Sequence, residues 1–176
     1  MKKLLFSICL LLLGFTGYAQ DKGDMAAGIT LGVAPSLEKG SSVTNFGIGA
    51  KYQYNVLEQV RLEGDLEYWF KDHTIDVFDI SANVQYLFPV GSRVTIYPTL
   101  GIGYAHIGGG VKVSGWGQDY VTNSDGGSGS RFLFNLGAGV EYSVTDKVKM
   151  GLEIKYQYLK DFGRLPIQVG VTYQFK

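Results

Sequence analysis

The chain has 176 residues, 16 basic and 16 acidic, with 25 glycines and a single cysteine. That is the length of one domain, carrying no basic excess to suggest nucleic acid and no second thiol for an internal disulfide. The only apolar run without alternation, residues 4–13, is too short to cross a bilayer as a helix, so a helical membrane protein is excluded.

The N-terminus reads Met1-Lys2-Lys3, then that apolar run, then Gly17-Tyr18-Ala19 with small residues at the two positions a signal peptidase inspects. Residues 1–19 are therefore expected to be a cleaved secretory signal peptide, and 20–176 the single mature domain. Removing Lys2 and Lys3 leaves 14 basic against 16 acidic residues, a charge of minus 2. Cys9 lies inside the apolar core and follows no lipobox, so the mature part has no thiol for a disulfide or a cysteine metal site.

From residue 25 onward, apolar residues occupy every second place in eight stretches, the period of a strand with one apolar face. The first, 25–34, carries Met25, Ala27, Ile29, Leu31 and Val33; the second, 44–54, carries Phe46, Ile48, Ala50, Tyr52 and Tyr54. The third, 59–70, offers Val60, Leu62, Leu66, Tyr68 and Phe70, with Gly64 interrupting the row. The fourth, 76–88, offers Phe78, Ile80, Ala82, Val84, Tyr86 and Phe88, and the fifth, 93–106, has Val94, Ile96, Leu100, Ile102 and Tyr104 with Pro98 in the same row. The sixth uses Phe132, Phe134, Leu136, Ala138, Val140 and Tyr142, and the seventh Val148, Met150, Leu152, Ile154, Tyr156 and Tyr158. Ile167, Val169, Val171, Tyr173 and Phe175 make the eighth. The fold class expected is all-β, an eight-stranded antiparallel up-and-down transmembrane β-barrel.

The connections at 55–58, 89–92 and 144–147 are short turns of Asn, Pro, Gly, Asp and Ser. Those at 35–43, 71–75, 107–130 and 160–166 are longer, and short turns on one rim with longer loops on the other put the short turns and both termini in the periplasm. The aromatics decide which row faces lipid. Tyr52, Tyr54, Tyr86, Phe88, Tyr142, Tyr173 and Phe175 fall near one rim, and Phe46, Tyr68, Phe70, Phe78, Tyr104, Phe132, Phe134, Tyr156 and Tyr158 near the other. Two aromatic girdles suit two membrane interfaces; a soluble barrel has no reason to sort rings by height.

The other row carries Lys51, Arg61, Glu63, Asp65, Glu67, Asp79, Arg131, Glu141, Lys149, Glu153 and Lys155, together with many glycines. Eight strands enclose a space that side chains fill, so these charges are expected to form a pairing network, structural or gating. If Tyr54 faces Val60, Lys51 falls opposite Glu63; if Tyr142 faces Val148, Glu141 falls opposite Lys149. A two-residue change of register should break both pairs. Pro98 cannot donate to a ladder, which predicts a bulge or one missing hydrogen bond there.

Chemistry-bearing patterns are weak. Gly101-Ile102-Gly103 lacks the third glycine and following helix of a dinucleotide fingerprint, and Asp119 and Asp125 lack calcium-loop spacing. His73 and His106 lie near the outer rim with Asp72, Asp76 and Asp79 nearby in sequence, but no nucleophile, base and acid can be assembled. The expectation is no catalytic set, no metal and no cofactor.

The stretches Phe134-Asn135-Leu136-Gly137-Ala138-Gly139-Val140-Glu141-Tyr142, Thr145-Asp146-Lys147 and Val169-Gly170-Val171-Thr172-Tyr173-Gln174-Phe175 resemble the outer-membrane β-barrel domain family of OmpA-like and OmpX-like proteins. So does Tyr97-Pro98-Thr99-Leu100-Gly101-Ile102-Gly103-Tyr104, although members often carry the proline before the aromatic. The resemblance implies a Gram-negative outer-membrane location and use of the assembly machinery through Phe175, here followed by Lys176. It says little about activity, since the family includes adhesins, structural barrels and small porin-like pores. No peptidoglycan-binding domain is expected. The function expected is a monomeric structural or adhesin-like barrel at the cell surface, touching outer-membrane lipid and a surface ligand through loops 107–130 and 35–43. The alternatives are a small gated pore and an outer-membrane lipid-modifying enzyme.

Overall fold

The computed structural model describes residues 22–37, 44–72, 75–109, 129–159 and 162–175. The expected signal peptide, His73, Asp119, Asp125 and most of the 107–130 loop lie outside the described residues.

The strands are β1 (Met25–Pro35), β2 (Thr44–Leu57), β3 (Val60–Asp72), β4 (Ile75–Tyr86), β5 (Phe88–Val90), β6 (Val94–Gly109), β7 (Gly129–Ser143), β8 (Val148–Leu159), β9 (Phe162–Arg164) and β10 (Ile167–Gln174). Every pairing is antiparallel, and β10 pairs with both β8 and β1, which closes the sheet. β5 continues the pairing of β4 with β6, and β9 that of β10 with β8, so the ten segments form eight staves. Closure leaves no edge strand, so the backbone ladders run right round the barrel, which is what a bilayer interior demands of a spanning backbone.

The interruption between β4 and β5 falls opposite Pro98. The β4–β6 ladder stops at Gln85 facing Thr99 and resumes at Phe88 facing Ile96 in the same register. Of the two expectations for this proline, a local gap in the ladder is what forms, with no bulge between β4 and β6.

Two registers differ from those expected. On β2–β3, Tyr54 faces Leu62, because β2 runs on to Leu57, bulges between Asn55 and Leu57, and turns at Glu58 and Gln59. On β7–β8, Tyr142 faces Met150, because the turn closes further along, with Val144 N donating to Val148 O at 2.9 Å and Ser143 facing Lys149. Thr145 Oγ1 braces this turn by accepting from the backbone N–H groups of Lys147 and Val148 at 3.3 and 3.0 Å. Both shifts are of two residues, so every side chain keeps its face.

The outward row is apolar at mid-height, with Ile29 63%, Leu100 51% and Ile102 55% exposed. Rings mark both ends: Tyr68 faces Phe78, Tyr104 faces Phe132 and Phe134 faces Tyr158 at the loop rim. Tyr54 sits beside Met25, and Tyr52 and Tyr173 flank Ala27, at the short-turn rim. A continuous apolar belt of this extent has no place in water.

Candidate functional site: the barrel lumen

The inward row is polar at its centre. Lys51, Arg61, Glu63, Asp65, Glu67, Asp79, Glu141, Lys149, Glu153 and Lys155 are all buried inside the barrel, and Arg131 stands half-buried on the same row at the loop rim. Strand alternation puts them there; what they touch is decided by reach across the lumen.

The lowest layer is built on Arg61. Its Nη1 and Nη2 each donate to Glu141 at 2.8 Å, its Nε donates to Gln85 Oε1 at 2.6 Å, and its guanidinium lies 5.0 Å from the centre of the Tyr97 ring. Glu141 therefore spends both oxygens on a strand across the barrel. The expected opposition of Glu141 and Lys149 does not form in register, since Glu141 faces Gly151. Lys51 also faces a different residue, Asp65, yet its Nζ reaches Glu63 Oε2 diagonally at 3.1 Å. The shifted register did not break that contact, because a four-carbon stem spans one diagonal step.

The middle layer gathers around Lys155, whose Nζ lies 2.6 Å from Asp65, 2.8 Å from Glu153 and 3.4 Å from Glu67. Lys51 reaches Glu153 at 3.5 Å, and Tyr97 donates its hydroxyl to Glu153 at 2.9 Å. Neutral amides knit the layers: Gln53 and Gln85 donate to Glu63, Asn83 to Asp65, Asn135 to Asn83 and Gln168 to Glu67. These amides share the inward row with the charges, where strand alternation places them.

Arg164 falls in the 160–166 connection expected from the sequence, and the structure makes part of that connection a strand. The residue lies on β9, is 2% exposed, pairs with Asp79 and Gln157, and lies 5.0 Å from the Trp69 ring centre. Trp69 donates its indole N–H to Asp79 at 3.0 Å. Above this layer the inward row turns apolar: Ala34, Trp69, Val77, Ala105, Leu133 and Leu159 pack into a buried cluster under the loop rim. The charged, glycine-rich inner row expected from the sequence thus gives way to an apolar layer near the loop rim. A side chain at Gly47 would collide with the Trp69 ring, and one at Gly139 with Tyr97, so these inward glycines are spaces into which the two large rings fit.

The aromatic girdle residues are on the lipid face, with Tyr86 and Phe88 half-buried and their ring centres 4.7 Å apart at a tilt of 51°. His106 lies on β6 facing Ser130 of β7, with Nδ1 and Oγ 3.1 Å apart on the outward face.

Among solved structures, the chain is similar to Neisserial surface protein A (TM-score 0.64, 20% identity, 86% of this chain and 96% of that one). It is also similar to Ail, the attachment invasion locus protein of Yersinia pestis (0.58, 19%, 88% and 99%). A third similar structure is the N-terminal β-barrel domain of Pseudomonas aeruginosa OprF (0.59, 16%, 89% and 100%). At these identities the likeness is one of fold. No curated protein matches the chain in sequence. The family model for the outer membrane protein beta-barrel domain matches residues 7–175, and the chain belongs to that family.

Proposed function

We propose that this protein is a non-enzymatic, non-conducting outer-membrane barrel whose role is structural or one of surface contact through its longer loops. The observation that carries the reading is the double closure of the lumen. Paired charges span it from wall to wall, and the Trp69–Leu133–Leu159 cluster covers them on the loop side. An eight-stranded barrel is the size at which side chains fill the interior. Export through a cleaved signal peptide and a monomeric state belong to the same proposal. A structural neighbour named for attachment and invasion gives surface contact a precedent in this fold.

The pore alternative is tested directly by planar-bilayer recording of the purified, refolded protein. Silence in bilayers that conduct when a known porin is added is the expected result, and discrete, reproducible openings would replace the closed lumen with a channel. The enzyme alternative has the His106–Ser130 contact on its side. We read that contact as a cross-strand hydrogen bond, because the two residues occupy directly paired positions of β6 and β7.

A further inference from the structure

The charges of the lumen do not balance. Between the Arg61–Glu141 pair and the Arg164–Asp79 pair, four carboxylates, those of Glu63, Asp65, Glu67 and Glu153, share two ammonium groups, those of Lys51 and Lys155. None of these six residues is more than 9% exposed. The guanidiniums on either side are already committed, Arg61 to Glu141 and Arg164 to Asp79. Lys149, the remaining buried cation, stands at the short-turn end, where it faces Ser143. Counting Asp79 and Glu141 with the four gives six buried carboxylates; counting Arg61, Lys149 and Arg164 with the two gives five buried cations. These buried residues are thus short of one positive charge, and with Arg131 half-buried away at the loop rim the shortage is concentrated at the centre. An uncompensated charge in a dry interior is among the most costly things a fold can hold.

Independent features mark where compensation would go. Glu63, Asp65 and Glu153 each present a carboxylate oxygen, and these oxygens lie within 4.8 Å of one another. Asp65 Oδ1 and Glu67 Oε2 are buried with no hydrogen-bond partner, although a carboxylate oxygen is an obligate acceptor. A cavity of about 20 Å³, lined by Lys51, Glu153, Thr30 and Gln168 among others, meets this cluster at Glu153. Gln168 Oε1 is also buried and unpartnered. The cavity is of water size, and the orphaned atoms of Asp65, Glu67 and Gln168 are oxygen acceptors, the donor set that hard cations and protons use.

We propose that the centre of the lumen takes up a small positive charge from solvent, a proton or a monovalent metal ion, at the carboxylates of Glu63, Asp65 and Glu153. One charge suffices to balance these buried residues, and Lys51 and Lys155 already stand against the same oxygens, which disfavours a divalent ion. The groups facing the site are Lys51 from β2, Arg61 and Glu67 from β3, Asp79 from β4, Tyr97 from β6, Glu141 from β7, Lys149 and Lys155 from β8 and Arg164 from β9. The proposal rests on the closed lumen, since an open one would let solvent counter-ions do the same work without a site.

The test uses full-length mature protein refolded in lipid vesicles, compared with Asp65→Asn and, should that variant not fold, Glu63→Gln. Infrared spectroscopy at neutral pH reads a protonated carboxyl, and the urea midpoint in sodium, potassium or choline chloride at constant ionic strength reads a bound metal ion. A protonated-carboxyl band that the variant lacks supports the proton. A midpoint higher in sodium or potassium than in choline, with the difference gone in the variant, supports the metal ion. Neither effect in the wild-type protein overturns the proposal, and so does an effect that survives the substitution unchanged. Bilayer current reads closure separately, so the two ideas fail by different signs.

Discussion

Arg61 shows what filling a lumen asks of one side chain. All three of its nitrogens that point at partners are satisfied, its planar head lies close to Tyr97, and it is 0% exposed. A bidentate guanidinium–carboxylate pair of this kind is strong when whole and costly when halved. Glu141→Gln should therefore destabilise the folded barrel by about 3–5 kcal/mol, while the double change Arg61→Met with Glu141→Leu should recover most of that loss. Urea unfolding in vesicles, arranged as a double-mutant cycle, measures both; equal losses in the single and double variants would mean that the pair is not a unit. The inward charges were legible from alternation alone, because parity sorts faces without knowing contacts. The same parity turns Trp69 inward between Tyr68 and Phe70, but its partners Asp79 and Arg164 were not legible, because they lie on other strands that only the closed barrel brings to it.

Strands were easier to read than their registers. The apolar row gave every stave to within a few residues, yet β2–β3 and β7–β8 pair two places away from the expected alignment. The reason is physical: a shift of two leaves every side chain on its face, so the hydrophobic pattern is blind to it and only turn geometry decides. The bulge between Asn55 and Leu57 and the four-residue turn at 144–147 make that decision. Facing itself is strongly constrained. Leu152→Arg, at mid-height on the outward row of β8, should cost about 2–4 kcal/mol, whereas Val144→Arg in the turn should cost about 0–1 kcal/mol. Similar costs at both positions, by urea titration in vesicles, would mean that the row does not lie in hydrocarbon.

At the scale of the molecule, the barrel is an inverted globule, apolar outside and polar within, closed on its loop side by a small apolar cluster. The sequence carried this architecture because a lipid-wrapped barrel writes its pattern into every strand. Its interior contacts were less legible, because the partners of Glu141, Lys155 and Arg164 come from strands distant in the chain. The absence of cysteine after Cys9 allows both faces to be probed with a single introduced thiol on the mature chain. Leu152→Cys places it on the outward row; Gly151→Cys places it inside, where a Cβ meets nothing nearer than 3.5 Å. The folded protein in vesicles is treated with a small, charged, water-soluble thiol reagent, and modification is followed by mass. An apolar belt in lipid around a sealed lumen predicts that both thiols stay unmodified until the barrel is unfolded; rapid modification at position 151 would show an open, water-filled interior, and at position 152 an outward row that does not meet lipid.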